Sequence, residues 1–178
     1  MSGMDDSRKR TIVINLYGGP GTGKSTTAAE AFAKLKHMGI NAELSTEYAK
    51  DVVWEGRDYL LSDQIYLFAK QNRKLARLYG KVDIIVTDSP LYLSYYYSKN
   101  PHILGLIREE SQRAENVHVF LIRKKAYNPK GRYQTEDEAK SIDKGIRDMP
   151  DAEGIKYREV IADDKAADQI VGLIKEWF

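Results

Sequence analysis

Apolar positions along this chain fall into two alternating kinds of run. Some are short, nearly continuous and rich in β-branched residues: Thr11 to Tyr17 (TIVINLY), Val82 to Thr87 (VDIIVT) and Val117 to Ile122 (VHVFLI). Runs of this kind predict strands covered on both faces, because a strand with one wet face would alternate apolar with polar residues. Shorter strands are expected at Ala42 to Ser45 and near Tyr157 to Ile161. Between these runs the apolar residues recur at helical spacing. Ala28, Phe32 and Leu35 predict a helix from Lys24 that Gly39 ends, and Ile65, Phe68, Leu75 and Leu78 predict another over Ser62 to Leu78. Leu91 to Gln112 reads as two helical pieces broken near Pro101, and a closing helix turns Ile170, Leu173, Ile174 and Trp177 inward. Thr135-Glu136-Asp137-Glu138 has the form of a capping box, which opens one more helix.

Strands alternating with helices predict an α/β fold with a parallel sheet and helices on both faces. Ligands of such sheets sit beyond the carboxyl ends of the strands. With no repeat and no linker in view, the expectation is a polar tail over residues 1–10 followed by one domain over 11–178.

Composition narrows the field. The 178 residues are 42% hydrophobic, enough for one sizeable core, and no apolar run approaches the ~20 residues that span a bilayer. Met1 to Arg10 is polar and mixed in charge, unlike a signal peptide; it reads as a frayed tail, or as an anion contact through Arg8, Lys9 and Arg10. A net charge of +2 argues against a generic nucleic-acid binder. The absence of cysteine excludes disulfides, thiolate metal sites and thiol nucleophiles, and suits a reducing cytoplasm. His37, His102 and His118 have no ligand-like spacing.

Between the first strand and the first helix lies Gly18-Gly19-Pro20-Gly21-Thr22-Gly23-Lys24-Ser25, followed by Thr26, a full match to G-x-x-x-x-G-K-[ST]. Glycines let backbone N–H groups turn toward a phosphate, and the helix start adds partial positive charge. Lys24 is the expected partner of the β and γ phosphates of ATP, and Ser25 the expected ligand of Mg2+. The strand ending at Thr87 continues Asp88-Ser89-Pro90, so Asp88 is placed either to hold magnesium through water or to meet a substrate hydroxyl. A motor ATPase would carry a Glu after that Asp and a GTPase an N-K-x-D; both are missing, which disfavours hydrolysis as the main task.

Three further groups carry candidate chemistry. Arg123-Lys124-Lys125 to Lys130-Gly131-Arg132 is a cationic segment after a strand, read as a lid over about 123–134 with Arg123 and Arg132 facing the transferred group, or as a solvated loop. Glu47, after the second strand, either orients an attacking hydroxyl and takes its proton or opens a helix. Tyr48, Trp54, Arg57, Tyr59, Gln64, Tyr66 and Gln71 offer the rings and amides that a nucleobase acceptor needs. Tyr92, Tyr95, Tyr96 and Tyr97 read as packing.

Four segments, GGPGTGKST (18–26), STEYAKDVVWEG (45–56), DQIYLFAKQ (63–71) and VTDSP (86–90), together resemble the P-loop nucleoside and nucleotide kinases. Within them the chain is most similar to the ribosylnicotinamide-kinase-like group and to the small AAA-type P-loop proteins of tailed phages. The resemblance implies a three-layer P-loop fold with a five-stranded sheet of order 2-3-1-4-5. It also implies an acceptor pocket after the second strand, a lid after the fourth, and adenine near Ala162 to Lys165. Deoxynucleoside kinases carry Glu-Arg-Ser where this chain has Asp88-Ser89-Pro90, a departure that argues against plain deoxynucleoside kinase activity. The expected function is ATP- and magnesium-dependent phosphoryl transfer to a nucleoside or nucleotide. The alternatives are a kinase for a nucleic-acid hydroxyl (a 5′ end or a hydroxymethylated base of phage DNA) and a non-kinase NTP-binding accessory protein. Oligomeric state has no signature in the sequence.

Overall fold

The computed structural model describes residues 10–124, 135–149 and 153–175. Most of the expected tail, residues 125–134 with Arg132 and the bulk of the expected lid, and Trp177 lie outside the described residues.

Five strands pair in parallel in the order β2-β3-β1-β4-β5, which is the expected P-loop topology: β1 (Ile12–Tyr17), β2 (Ala42–Ser45), β3 (Ile84–Thr87), β4 (Glu115–Ile122) and β5 (Arg158–Ile161). Every residue of β1 and β3 is buried, as their continuous apolar runs require, whereas the edge strands β2 and β5 expose residues to solvent. Alternation along β1 divides the core. Ile12, Ile14 and Leu16 meet one layer, formed by α1 (Lys24–His37) and α7 (Ala166–Leu173). Val13 and Tyr17 meet the other, built from α3 (Gln64–Ala76), α4 (Leu91–Ser98), α5 (Pro101–Ser111) and α6 (Glu136–Asp148).

Local chemistry sets the boundaries. Gly39 takes φ +78° and closes α1, with its N–H bonded to Lys36 O at 3.0 Å. The helix expected over 62–78 is observed as α3, trimmed at both ends and preceded by a 3-10 turn at Asp58–Ser62; the Asp63 carboxylate accepts the Tyr66 N–H at 3.0 Å and starts the helix there. Pro101 does divide α4 from α5, and Asn100 caps the second piece by accepting the His102 N–H. β3 begins at Ile84 rather than Val82, because the Thr11 hydroxyl takes the Val82 carbonyl. Both halves of the Thr135–Glu138 capping box are formed, at 2.6 and 3.2 Å. Helix α2 (Tyr48–Trp54) has no apolar period to announce it; Val52 is its one buried residue. Tyr92, Tyr95 and Tyr96 of α4 pack against the core as expected, whereas Tyr97 is 49% exposed. Tyr92 is buried, and Tyr96 lies so close to Gly145 of α6 that a Cβ there would sit 2.5 Å from its hydroxyl.

One polar pair is enclosed in the second layer. The His118 Nδ1 lies 2.9 Å from the Tyr17 hydroxyl, and burial pulls the imidazole pKa down to about 4. The unfolded imidazole titrates near ~6.5, so between those two values the unfolded chain binds the extra proton. His118 therefore contributes stability that is intact above that window and declines as pH falls through it, by up to about 1.4 kcal/mol per pH unit. Thermal melts from pH 7 to pH 4 should show a shallower decline for His118→Gln than for the parent; parallel curves would mean that His118 does not govern this window.

Candidate functional site

The phosphate loop follows directly from β1. Gly18, Gly21 and Gly23 all take positive φ, and Gly23, at +101°, is the residue on which the chain turns into α1. A side chain at Gly23 would be strained there, while the N–H groups of the first helical turn remain free to point out of the loop. The Thr22 hydroxyl braces the loop from within by donating to Gly19 O at 3.0 Å. The Lys24 ammonium donates to Gly18 O at 2.7 Å and Gly19 O at 3.0 Å, so it is folded back over the loop. Burial lowers the Lys24 pKa, and the negative charges of Glu47 and Asp88 oppose that shift.

The ends of β2 and β3 bring two carboxylates beside this lysine. Asp88, 3% exposed, accepts the Ser25 hydroxyl at 2.5 Å through Oδ2. Its other oxygen, Oδ1, is buried and has no hydrogen-bond partner among the described residues. Glu47 is far more open. It occupies the position before α2, yet its side chain makes no capping hydrogen bond; its Oε2 instead lies 3.8 Å from the Lys50 ammonium. Lys50 also donates to Ser25 Oγ at 2.5 Å and stands 3.7 Å from Asp88 Oδ2. Sequence reasoning passed over Lys50, although its spacing from Glu47 on a short helix was a signal.

Asp143 is the second residue that the sequence reading passed over. Its Oδ1 accepts the Gly19 N–H at 2.5 Å and its Oδ2 accepts Arg123 Nε at 2.9 Å. Arg123 also donates to Pro20 O at 2.8 Å, so its guanidinium is fastened to the rim of the phosphate loop. Asp143 lies on the same face of α6 as the buried Ala139 and Ile146, and a carboxylate on a buried face was the available sign of a special partner.

The expected acceptor residues divide. Tyr48 and Arg57 come together with Tyr66: the two phenol oxygens are 3.0 Å apart, and Arg57 reaches the Tyr48 hydroxyl at 3.5 Å. The hydrogen bond with Tyr48, then that from Arg57, lowers the Tyr66 pKa, while the Tyr48 pKa is raised mainly by its bond to Tyr66. Gln71 supports rather than lines this corner, since its Oε1 accepts the Tyr48 N–H and its Nε2 faces Thr46 O. Gln64 turns to Leu61 O. Trp54, the last residue of α2, is 87% exposed. Near the expected adenine side, Ala162 approaches Gly23, and Asp163 takes Lys124 at 3.2 Å.

Comparison with known proteins agrees with the fold. Residues 13–166 match the family model described as an AAA domain. Among solved structures, deoxyadenosine kinase from M. mycoides with products dCMP and dCDP superposes with a TM-score of 0.52 at 14% identity, over 93% of this chain and 97% of that one. APS kinase from Mycobacterium tuberculosis gives 0.52 at 15%, over 93% and 95%. NadR in complex with NR gives 0.61 at 14%, over 94% of this chain and half of that protein. At such identities the likeness is one of fold. A comparison with curated proteins gives no match. No helix among the described residues is long and apolar enough to cross a membrane.

The contact between α6 and the loop leaves no room at Gly19, where a Cβ would lie 2.6 Å from Asp143 Oδ1 and 2.9 Å from Ala139 O. Gly19→Ala should cost about 1–3 kcal/mol of stability. Asp143→Ala in the same background should recover only part of that loss, because the Ala139 carbonyl is backbone and cannot retreat. Denaturant unfolding of the four proteins of this cycle gives the coupling; strict additivity would show that the two residues do not press on each other.

Proposed function

This chain belongs to the AAA domain family, and from that membership we propose that it is an ATP- and magnesium-dependent phosphotransferase whose acceptor is a nucleoside or nucleotide. One observation carries the reading: beside the half-buried Lys24 the fold sets two carboxylates in different surroundings, Asp88 enclosed and bonded to Ser25, Glu47 more open and uncommitted to any helix cap. A kinase has work for both. One belongs with the metal and the other with the acceptor.

Ser25 Oγ and the Asp88 carboxylate are hard oxygen donors, and the buried, unpartnered Asp88 Oδ1 is an atom that a cation or its hydration water would satisfy. They suit magnesium, which is commonly held by one or two carboxylates together with substrate phosphates. Bound there, magnesium would neutralise charge on the β and γ phosphates. Lys24 and the loop N–H groups bind the same phosphates and draw charge toward the leaving oxygen. Glu47 orients the acceptor hydroxyl and takes its proton as the new O–P bond forms and the bond to the β–γ bridging oxygen breaks. Tyr48, Tyr66 and Arg57 form the wall for the acceptor's base. Arg123, held at the rim by Asp143, faces the phosphate side, with Arg132 assigned to the same task from the sequence. The loop after β5 is assigned to adenine.

Trp54 and Tyr59, 87% and 73% exposed on the acceptor side, favour a second reading in which the acceptor hydroxyl belongs to a nucleic acid whose bases stack there.

Incubation with γ-labelled ATP and a panel of nucleosides, nucleotides, oligonucleotides and modified DNA separates the two, and absence of transfer to every acceptor would overturn both. Glu47→Gln should lower turnover by roughly 10²–10⁴ while ATP affinity stays within a few-fold, as expected for loss of a positioned base. Full turnover in that variant would remove Glu47 from the chemistry. Lys24→Ala should abolish transfer with a native circular dichroism spectrum, and retained activity would contradict its assignment.

A further inference from the structure

The hydrogen bonds around Ser25 form a chain with a definite direction. The hydroxyl has one proton, which it gives to Asp88 Oδ2 at 2.5 Å, so toward Lys50, also at 2.5 Å, it acts as acceptor. Lys50 therefore uses a lone pair of the very oxygen that a P-loop protein offers to its divalent cation. The same ammonium lies 3.7 Å from Asp88 Oδ2 and 3.8 Å from Glu47 Oε2. A positive charge thus stands among the oxygens assigned above to the metal and to the acceptor. Its anchorage is light: the Lys50 side chain is 51% exposed, in contrast to Asp88 at 3%, and its long stem lets it leave without disturbing the core.

We propose that Lys50 is a positioning residue that competes with the divalent cation for Ser25 and Asp88, so that metal binding moves its ammonium toward Glu47. Two cations cannot share that lone pair, and a like charge within ~4 Å of an arriving ion opposes it strongly. The ammonium therefore raises the concentration of metal needed to fill the site. Conversely, it partly substitutes for the metal when a triphosphate binds without one. Displaced from Ser25, Lys50 still has Glu47 within reach, one helical turn away on α2. The charge that leaves the metal side is then delivered to the carboxylate that positions the acceptor. This inference rests on the reading of the loop as a site for nucleotide and magnesium.

The test uses binding rather than turnover. A fluorescent, non-hydrolysable ATP analogue is titrated onto the full chain at a series of Mg2+ concentrations and in EDTA, and Mn2+ binding is followed in parallel by electron paramagnetic resonance. Lys50→Met should lower the half-saturating Mg2+ and the Mn2+ dissociation constant by about tenfold, the effect of removing one like charge nearby. It should also weaken analogue binding in EDTA. Lys50→Arg, which keeps the charge, should stay closer to the parent on both measures. If Lys50→Met melts well below the parent, Lys50→Gln takes its place. Parent-like or higher metal midpoints in the charge-removing variant, with normal analogue binding by the parent, would overturn the role of Lys50 and leave the nucleotide reading standing. Failure of the parent itself to bind the analogue with Mg2+ would overturn both.

Discussion

The parallel register between β1 and β3 is the constraint on which the candidate site depends. Asn15 pairs with Thr87, so Asp88 emerges one residue past the end of β3, level with Leu16 and two residues short of the phosphate loop. Ser25, one residue into α1, then meets its carboxylate at 2.5 Å. A slip of one residue would send Asp88 to the other face of the sheet and take from Lys24 one of the two carboxylates beside it. Lys24 and Asp88 depend on each other in this way, since an enclosed ion is tolerated only with compensation close by. The geometry of the candidate site and the electrostatic viability of the fold thus share one origin.

Much of the architecture was legible because the central strands are uniformly apolar and the phosphate loop has little freedom. TIVINLY and VDIIVT can hardly be anything but strands covered on both sides, and Gly23 followed by Lys24 fixes where the first helix begins. Elements held by tertiary contact rather than by pattern were not legible. Helix α2 buries only Val52 and is held at its start by Gln71, a residue over twenty positions away, so no local period betrays it. Within the site, the loop, Ser25 and Asp88 could be located from motif and strand ends. Lys50 and Asp143 carried only weak local signals, because what defines them is a partner distant in sequence. Gln71 shows the converse: a polar side chain near the right place whose hydrogen bonds are spent on backbone.

The two carboxylates differ in how the fold surrounds them. Asp88 is enclosed by its own strand end and by α1, whereas Glu47 lies at the head of a small helix packed on the outside. The edge strand β2 and its thin helix carry the residues proposed for the acceptor, and the central strands carry those proposed for the phosphates. Variation in acceptor chemistry can therefore be confined to the periphery without touching the densely packed middle.

Helix α6 touches the phosphate loop through Asp143 and α4 through Gly145, two residues further on. The rise of an α-helix is ~1.5 Å per residue, so those contacts are set a few ångströms apart along one rigid rod. The rod acts as a caliper whose jaws are the loop and the tyrosine helix. Lengthening the chain ahead of α6 leaves that gap unchanged, whereas inserting a single residue between positions 143 and 145 would turn one jaw by about 100° and release its hold. Length changes in the segment after β4 and length changes within α6 are therefore mechanically unequal, and the gauge between the phosphate loop and α4 is inherited from the helix itself.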